Sequence, residues 1–275
     1  MTRDIRGLAE IRAAFDTVLI DQFGVLHDGR TAFPGAADCL QGLAASGVPM
    51  AALSNSGKRS HLNTARLARL GFPASLFQAV ITSGELAHAR LAERLADGRL
   101  PKGAPVAVIS RDDDTSMIAG LSLRSVALRD TPSLLIIAAA EPEKRTLDSY
   151  VDEMAPLARA GVPALCINPD RWIYANGIAA FGPGKLAERY RDLGGRVEML
   201  GKPGREMFEA GLKALDARPE RCLMIGDSPE HDIAGAKAAG CQTLLISTGV
   251  QSGTAPEGVA QHEMVPDYRM ESLVG

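Results

Sequence analysis

The stretch VLIDQFGVLHDG, residues 18–29, limits the fold more than any other part of the chain. Val18, Leu19 and Ile20 read as the end of a buried strand, and Asp21 followed by Gly24 marks a sharp exit from it. Other apolar runs end on polar residues in the same way, among them VPMAALSNS, AVITS and CLMIGD. Segments with helical spacing separate them. Alternation of this kind predicts an α/β protein built on a parallel sheet, with Asp21 at the carboxyl edge where such sheets usually place chemistry. An aspartate there can attack phosphorus, hold a divalent metal, or simply start a turn.

Taken in order, the chain opens with a helix candidate whose Leu8, Ile11 and Phe15 share a face. Pro34 and Gly35 start the next helix, in which Ala36, Leu40, Leu43 and Ala44 recur at helical spacing. Around Asp97 to Pro105 the composition turns to Gly, Pro and Lys, as in a linker. Beyond it, VAVIS, SLLIIAAA and VPALCIN read as strands around a helix from Glu143 to Ala160. The expected organisation is a core of residues 1–98 and 181–275 interrupted by a smaller α/β domain at 99–180. VEML, CLMI and TLLIST are assigned to the core as strands, and MESL near the end as a short helix.

Polar residues gather at the strand ends. Ser54, Asn55 and Ser56 leave a strand just ahead of a helix, where hydroxyl, amide and backbone N–H groups suit a phosphate or make an ordinary N-cap. Lys202, in GKPG, also follows an apolar run and can bring a positive charge to the same edge. Asp227 ends another strand, with Asp232 five residues on as it enters a helix. Carboxylates collected with Asp21 at one edge would repel one another unless a cation sat among them, and oxygen-only ligands suit Mg²⁺.

Bulk properties narrow the partners. The net charge of −3 is spread without a long run of one sign, which argues against nucleic acid and anionic membranes and favours small molecules. No apolar stretch approaches the roughly 20 residues of a membrane span. The opening MTRDIRGLAEIRAAF lacks the apolar core of a secretory signal, so a cytoplasmic location is expected. Cys39, Cys166, Cys222 and Cys241 are scattered among apolar neighbours and read as small buried hydrophobes.

With DQFGVLHDG, LSNSG, GKPGREMF and GDSPEHDIAGAKAAG in that order, together with NPD and TGV, the chain resembles the haloacid dehalogenase superfamily. The likeness is to the NagD-type and pyridoxal-phosphate phosphatase branch, whose cap is inserted between the second and third motifs. It implies a Rossmann-like core with a smaller α/β cap and a Mg²⁺-dependent hydrolase of small phosphorylated metabolites such as sugar phosphates. By that likeness Asp21 is the nucleophile that becomes aspartyl-phosphate. Ser54, Asn55 and Ser56 hold the phosphoryl group and Lys202 neutralises charge. Asp21, the backbone carbonyl of Phe23 and Asp227 bind the metal, and Asp232 steadies its waters. In the cap, Asn168 and Asp170 are the candidates to touch substrate; Trp172 stacks on a ring or only packs, and the RDDD run at 111–114 is most simply a solvated acidic turn, with a hinge or substrate role as the alternative. A homodimer is left open.

One position departs from the pattern. Phosphatases of the family carry a second aspartate two residues after the nucleophile, as general acid and then base, and here that place holds Phe23. A group of that kind is worth roughly 10²–10⁴ in rate. His27 is one candidate replacement; a substrate that leaves unprotonated is another answer. Two rival readings follow, a metal-independent dehalogenase-like hydrolase and a non-catalytic phospho-ligand-binding protein. The retained acidic pair in GDSPEHD speaks against the first, and intact Asp21, Lys202 and Asp227 against the second.

Overall fold

Residues in a strand covered on both faces cannot alternate apolar and polar, and Thr17–Asp21 is buried throughout. The computed structural model describes residues 2–175, 178–247 and 265–273. In chain order its elements are β1 (Arg3–Asp4), β2 (Thr17–Asp21), α1 (Ala36–Ala45), β3 (Met50–Ser54), α2 (Ser60–Arg69), β4 (Ala79–Thr82), α3 (Ser83–Ala96), β5 (Ala104–Ile109), β6 (Leu123–Val126) and β7 (Leu134–Ile137). They continue with α4 (Leu147–Arg159), β8 (Ala164–Cys166), β9 (Trp172–Ala175), β10 (Ile178–Phe181), α5 (Pro183–Asp192), β11 (Val197–Met199), α6 (Arg205–Ala214), β12 (Cys222–Gly226), α7 (Ala234–Ala238), β13 (Gln242–Ile246) and β14 (Tyr268–Met270).

The chain divides into two compact units. The first takes the described residues of Met1–Ser54, His61–Ile81 and Lys202–Gly275. Its sheet runs β1-β14-β13-β12-β2-β3-β4, with β12, β2 and β3 parallel and adjacent. Ile225 lies opposite Ile20, and Asp21 opposite Leu53, so the carboxyl ends of these three strands finish side by side. Successive residues of β2 serve opposite faces. Val18 and Ile20 join a cluster with Leu40, Leu43, Met50 and Leu67, whereas Leu19 and Leu53 lie under Gly211 of α6, where a Cβ would come within 2.7 Å of Leu19. Each such fully buried Leu or Ile contributes about 1.5–3 kcal/mol.

The second unit takes Asn55–Ser60 and Thr82–Gly201. Its parallel sheet runs β11-β8-β7-β5-β6. One face is covered by Tyr150, Met154 and Leu157 of α4 with Leu186 and Tyr190 of α5. On the other, Ala87 and Leu91 of α3 pack with Leu100, Val106 and Ile136. This corrects the expected insertion at 99–180, because α3 on one side and α5 and β11 on the other also belong to the second unit. The cause is long-range packing: Tyr190 donates to the Val162 carbonyl at 2.8 Å, and VEML pairs with β8, not with a core strand.

Other expectations are adjusted more locally. The opening segment forms a 3₁₀ helix over Leu8–Ala14. Residues Tyr268–Met270 form a strand beside β13, with Met270 opposite Ile246, so the MESL helix does not exist. Pairing with β13 on one side and β1 on the other outcompetes a helix too short to nucleate on its own. Trp172 begins an antiparallel hairpin opposite Phe181. All four cysteines are free and buried, as read from their neighbours. The TGV motif at 248–250 lies outside the described residues.

Candidate active site

The register of three strands brings the acidic residues together. Asp21 ends β2, and Asp227 follows Gly226, the residue after the Ile225 that pairs with Ile20. Ser54, one residue past the partner of Asp21, closes β3 on the other side. Asp232 sits in a single π turn over Pro229–Ile233, ahead of α7. The backbone is shaped to let these groups converge. Gly24 has φ +88°, and a Cβ on it would lie 2.1 Å from Oδ2 of Asp227; a Cβ on Gly226 would lie 2.2 Å from that of Asp232. Neither position has room for a side chain.

One carboxylate oxygen from each of Asp21, Asp227 and Asp232 lies within 4.8 Å of the others, and all three residues are buried. Lys202, only 3% exposed, bridges two of them. Its Nζ donates to Oδ1 of Asp21 at 2.5 Å and to Oδ1 of Asp232 at 2.6 Å. Oδ2 of Asp232 accepts the backbone N–H groups of Asp227 at 3.2 Å and Ser228 at 3.1 Å. Asp232 is therefore an organiser of the loop and of Lys202. It is not the N-cap; Ser228 is, accepting from the His231 N–H at 3.1 Å.

Burial pushes the Asp21 carboxyl up to about 7, with the Lys202 ammonium pulling it down and the Asp232 carboxylate adding to the rise. Burial also works against the charge on Lys202, but the Asp21 and Asp232 carboxylates outweigh it and hold the ammonium above the usual lysine range. Three buried carboxyl groups face a single ammonium, an excess of acidic oxygens. That excess, carried on oxygen ligands alone, fits a hard divalent cation.

Around this cluster, Phe23 is half-buried and turned toward the turn that follows it. Its ring meets His27 edge-on, with centroids 6.2 Å apart, and a Cβ on Gly29 would touch it at 3.3 Å. His27 is 1% exposed, and its Nδ1 accepts the Gly29 N–H at 3.0 Å. Burial, aided by the Arg66 guanidinium, pushes its imidazole down to about 4. His27 is thus a neutral packing residue that shapes the turn.

The remaining predicted residues belong to the second unit and group with one another. Asn55 Nδ2 donates to Oδ1 of Asp170 at 2.8 Å, and Oδ1 of Asn168 accepts the Asp170 N–H at 3.0 Å. Ser56 accepts the Lys58 N–H through its Oγ at 3.3 Å, and its carbonyl accepts from Gly84. The Asn55 to Asp170 bond spans 115 residues, and nothing local announces it. The RDDD run is more than a solvated turn: Asp112 and Asp113 adopt positive φ, Arg111 pairs with Glu143, and Lys144 reaches Asp112 at 3.5 Å and Glu141 at 2.7 Å. Ser228 and Gly226 are the contributors that residue chemistry passed over, whereas Gly24 reads as the exit turn after Asp21. For the first two the signal was available in the GD spacing.

Comparison with known proteins adds an independent line. Residues 18–124 match the family model described as haloacid dehalogenase-like hydrolase, and residues 199–274 match a second described as HAD-hydrolase-like. Chronophin of Rattus norvegicus is 31% identical over 98% of this chain and 88% of its own length. Glycerol-3-phosphate phosphatase of Gallus gallus is 30% identical over 96% of this chain and 91% of its own. Among solved structures, a haloacid dehalogenase-like hydrolase from Brucella suis 1330 superposes with a TM-score of 0.87 at 27% identity, covering 98% of this chain and all of that one (100%).

Proposed function

Because the chain belongs to the haloacid dehalogenase-like hydrolase family, we propose that it is a phosphatase that hydrolyses small phosphorylated metabolites through Asp21. The observation that carries this reading is the buried convergence of Asp21, Asp227 and Asp232 around Lys202. A carboxylate that is buried and aimed at the edge of the sheet is a competent nucleophile only when its charge is balanced, and Lys202 balances it without blocking its second oxygen.

Asp21 attacks phosphorus through one oxygen, the bond from phosphorus to the leaving oxygen breaks, and an aspartyl-phosphate forms. Water then attacks that phosphorus and returns the carboxylate. Lys202 offsets the charge that spreads over the phosphoryl oxygens, and Ser54, at the end of the neighbouring strand, is assigned a hydrogen bond to one of them. Asp21, Asp227 and the backbone carbonyl of Phe23 are the residues that would hold Mg²⁺, with Asp232 fixing the loop behind them. When bound, the ion polarises the phosphoryl group and screens it from the carboxylates. Asn55 and Ser56 are assigned to phosphoryl binding, and Asn168 and Asp170 to substrate choice.

The acidic cluster favours this chemistry over a metal-independent dehalogenase, which has no use for three converging carboxylates. Release of phosphate from p-nitrophenyl phosphate tests the reading. Turnover should need Mg²⁺, stop with EDTA and vanish in Asp21→Asn. Turnover that ignores both EDTA and that substitution would end it.

A further inference from the structure

We propose that this site acts on phosphoryl donors whose leaving oxygen is stable as an anion, namely aryl, enol and acyl phosphates, in preference to phosphates of simple alcohols. The proposal rests on Asp21 being the nucleophile and asks what happens to the other end of the bond. When Asp21 attacks, the electron pair of the broken bond departs on the leaving oxygen. A simple alkoxide is a poor leaving group and needs a proton in the transition state; a phenolate, enolate or carboxylate does not.

The groups that converge with Asp21, and the two rings of the turn after it, offer little to donate that proton. Lys202 is spoken for, with Asp21 at 2.5 Å and Asp232 at 2.6 Å. Asp232 already takes Lys202 on one oxygen and two backbone N–H groups on the other. Asp227 converges with them as a third carboxylate. The side chain two residues beyond Asp21 is the hydrocarbon ring of Phe23, stacked edge-on to His27 and against Gly29. His27 is 1% exposed; its Nδ1 accepts the Gly29 N–H at 3.0 Å, and its Nε2, which then carries the proton, is buried and makes no hydrogen bond to any of the cluster's carboxylates or to Lys202. The first half-reaction therefore releases the leaving group as its anion, which solvent protonates afterwards. In the second, water attacks phosphorus, the bond to Asp21 breaks with its pair returning to the carboxylate, and the water proton ends on a phosphate oxygen. Atoms and charge balance in both halves without a protein acid.

The test uses the full chain with Mg²⁺ and reads kcat/KM, which reports the first half-reaction whichever step limits turnover. The substrates run from p-nitrophenyl through p-methoxyphenyl to propyl phosphate, with acetyl phosphate as the acyl case. For the native chain we expect a steep fall as the leaving group becomes more basic, the alkyl ester trailing by about 10²–10⁴-fold, the size of a missing proton transfer. Read as the ratio of kcat/KM for propyl phosphate to that for p-nitrophenyl phosphate on each chain, Phe23→Asp should raise it by about 10²-fold or more, and Phe23→Asn, with no proton to give, should leave the ratio where the native chain has it, whatever either substitution does to the absolute rates. The slope of the native chain decides the matter even if Phe23→Asp fails to fold. Propyl phosphate hydrolysed as well as p-nitrophenyl phosphate would overturn the leaving-group inference and leave the phosphatase reading intact. No turnover across the whole series would overturn both.

Discussion

Replacing Lys202 by Met tests how much of the core unit is held together by its buried charge cluster. The ammonium sits between oxygens of Asp21 and Asp232 that are 7% and 0% exposed by residue, so methionine fills the space and removes the charge. Two buried carboxyl groups are then left facing each other without their ammonium, with Asp227 as a third, and each must either carry an uncompensated charge or take up a proton. Removing one partner of a buried ion pair costs about 3–5 kcal/mol, chiefly because the remaining charge has no compensation. We expect a loss of that size in urea unfolding at pH 8 with EDTA present, followed by far-UV circular dichroism. The fluorescence of Trp172, which lies in the second unit, should be recorded alongside. Adding Asp232→Asn to Lys202→Met removes one of the opposed charges and should restore about half of the loss. A loss under about 1 kcal/mol, or a double variant no better than the single one, would show that Lys202 does not neutralise this cluster.

Further outcomes follow from neighbouring groups. His27, held at about 4 in the folded chain against 6.5 when unfolded, binds its proton more weakly folded. Its contribution is therefore present above pH 6.5 and lost as pH falls toward 4, about 3 kcal/mol in all, and His27→Gln should flatten that part of the stability profile in acid. Asp21 has the opposite sign, since burial raises it to about 7 from 3.8. In the absence of metal its stabilising share is full below pH 3.8 and lost as pH rises through about 7, whereas Mg²⁺ must compete with that proton. The rise in melting temperature on adding Mg²⁺ should accordingly be larger at pH 8 than at pH 6, as calorimetry would show. Gly24→Ala places a methyl group where Oδ2 of Asp227 now lies, 2.1 Å from the ideal Cβ, at a φ of +88°. Mg²⁺ affinity measured by titration calorimetry should drop by about 10–100-fold.

The strands that position Asp21, Ser54 and Asp227 were legible because they are buried on both faces and leave unbroken apolar runs. The convergence of Asp21, Asp227 and Asp232 with Lys202 followed from reading which residues stand just past those runs. What escaped was pairing at a distance. VEML looks like any short strand, and nothing within it says that it joins Cys166 and Leu165 of β8 in the second unit. The same is true of α5, whose Leu186 and Tyr190 pack onto β8 and α4. LRSV at 123–126 lacks an apolar pattern because it is half-exposed and, among the described residues, an edge strand paired with β5 alone. The Asn55 to Asp170 bond joins two loops that carry no shared periodicity.

Acid quenching during turnover of p-nitrophenyl phosphate with Mg²⁺, followed by mass spectrometry of the digested chain, asks most directly whether Asp21 becomes phosphorylated. The account predicts one phosphoryl group on the peptide that carries Asp21, absent with EDTA and absent from Asp21→Asn. Full turnover with that peptide unmodified, or with the phosphoryl group on another residue, would contradict it.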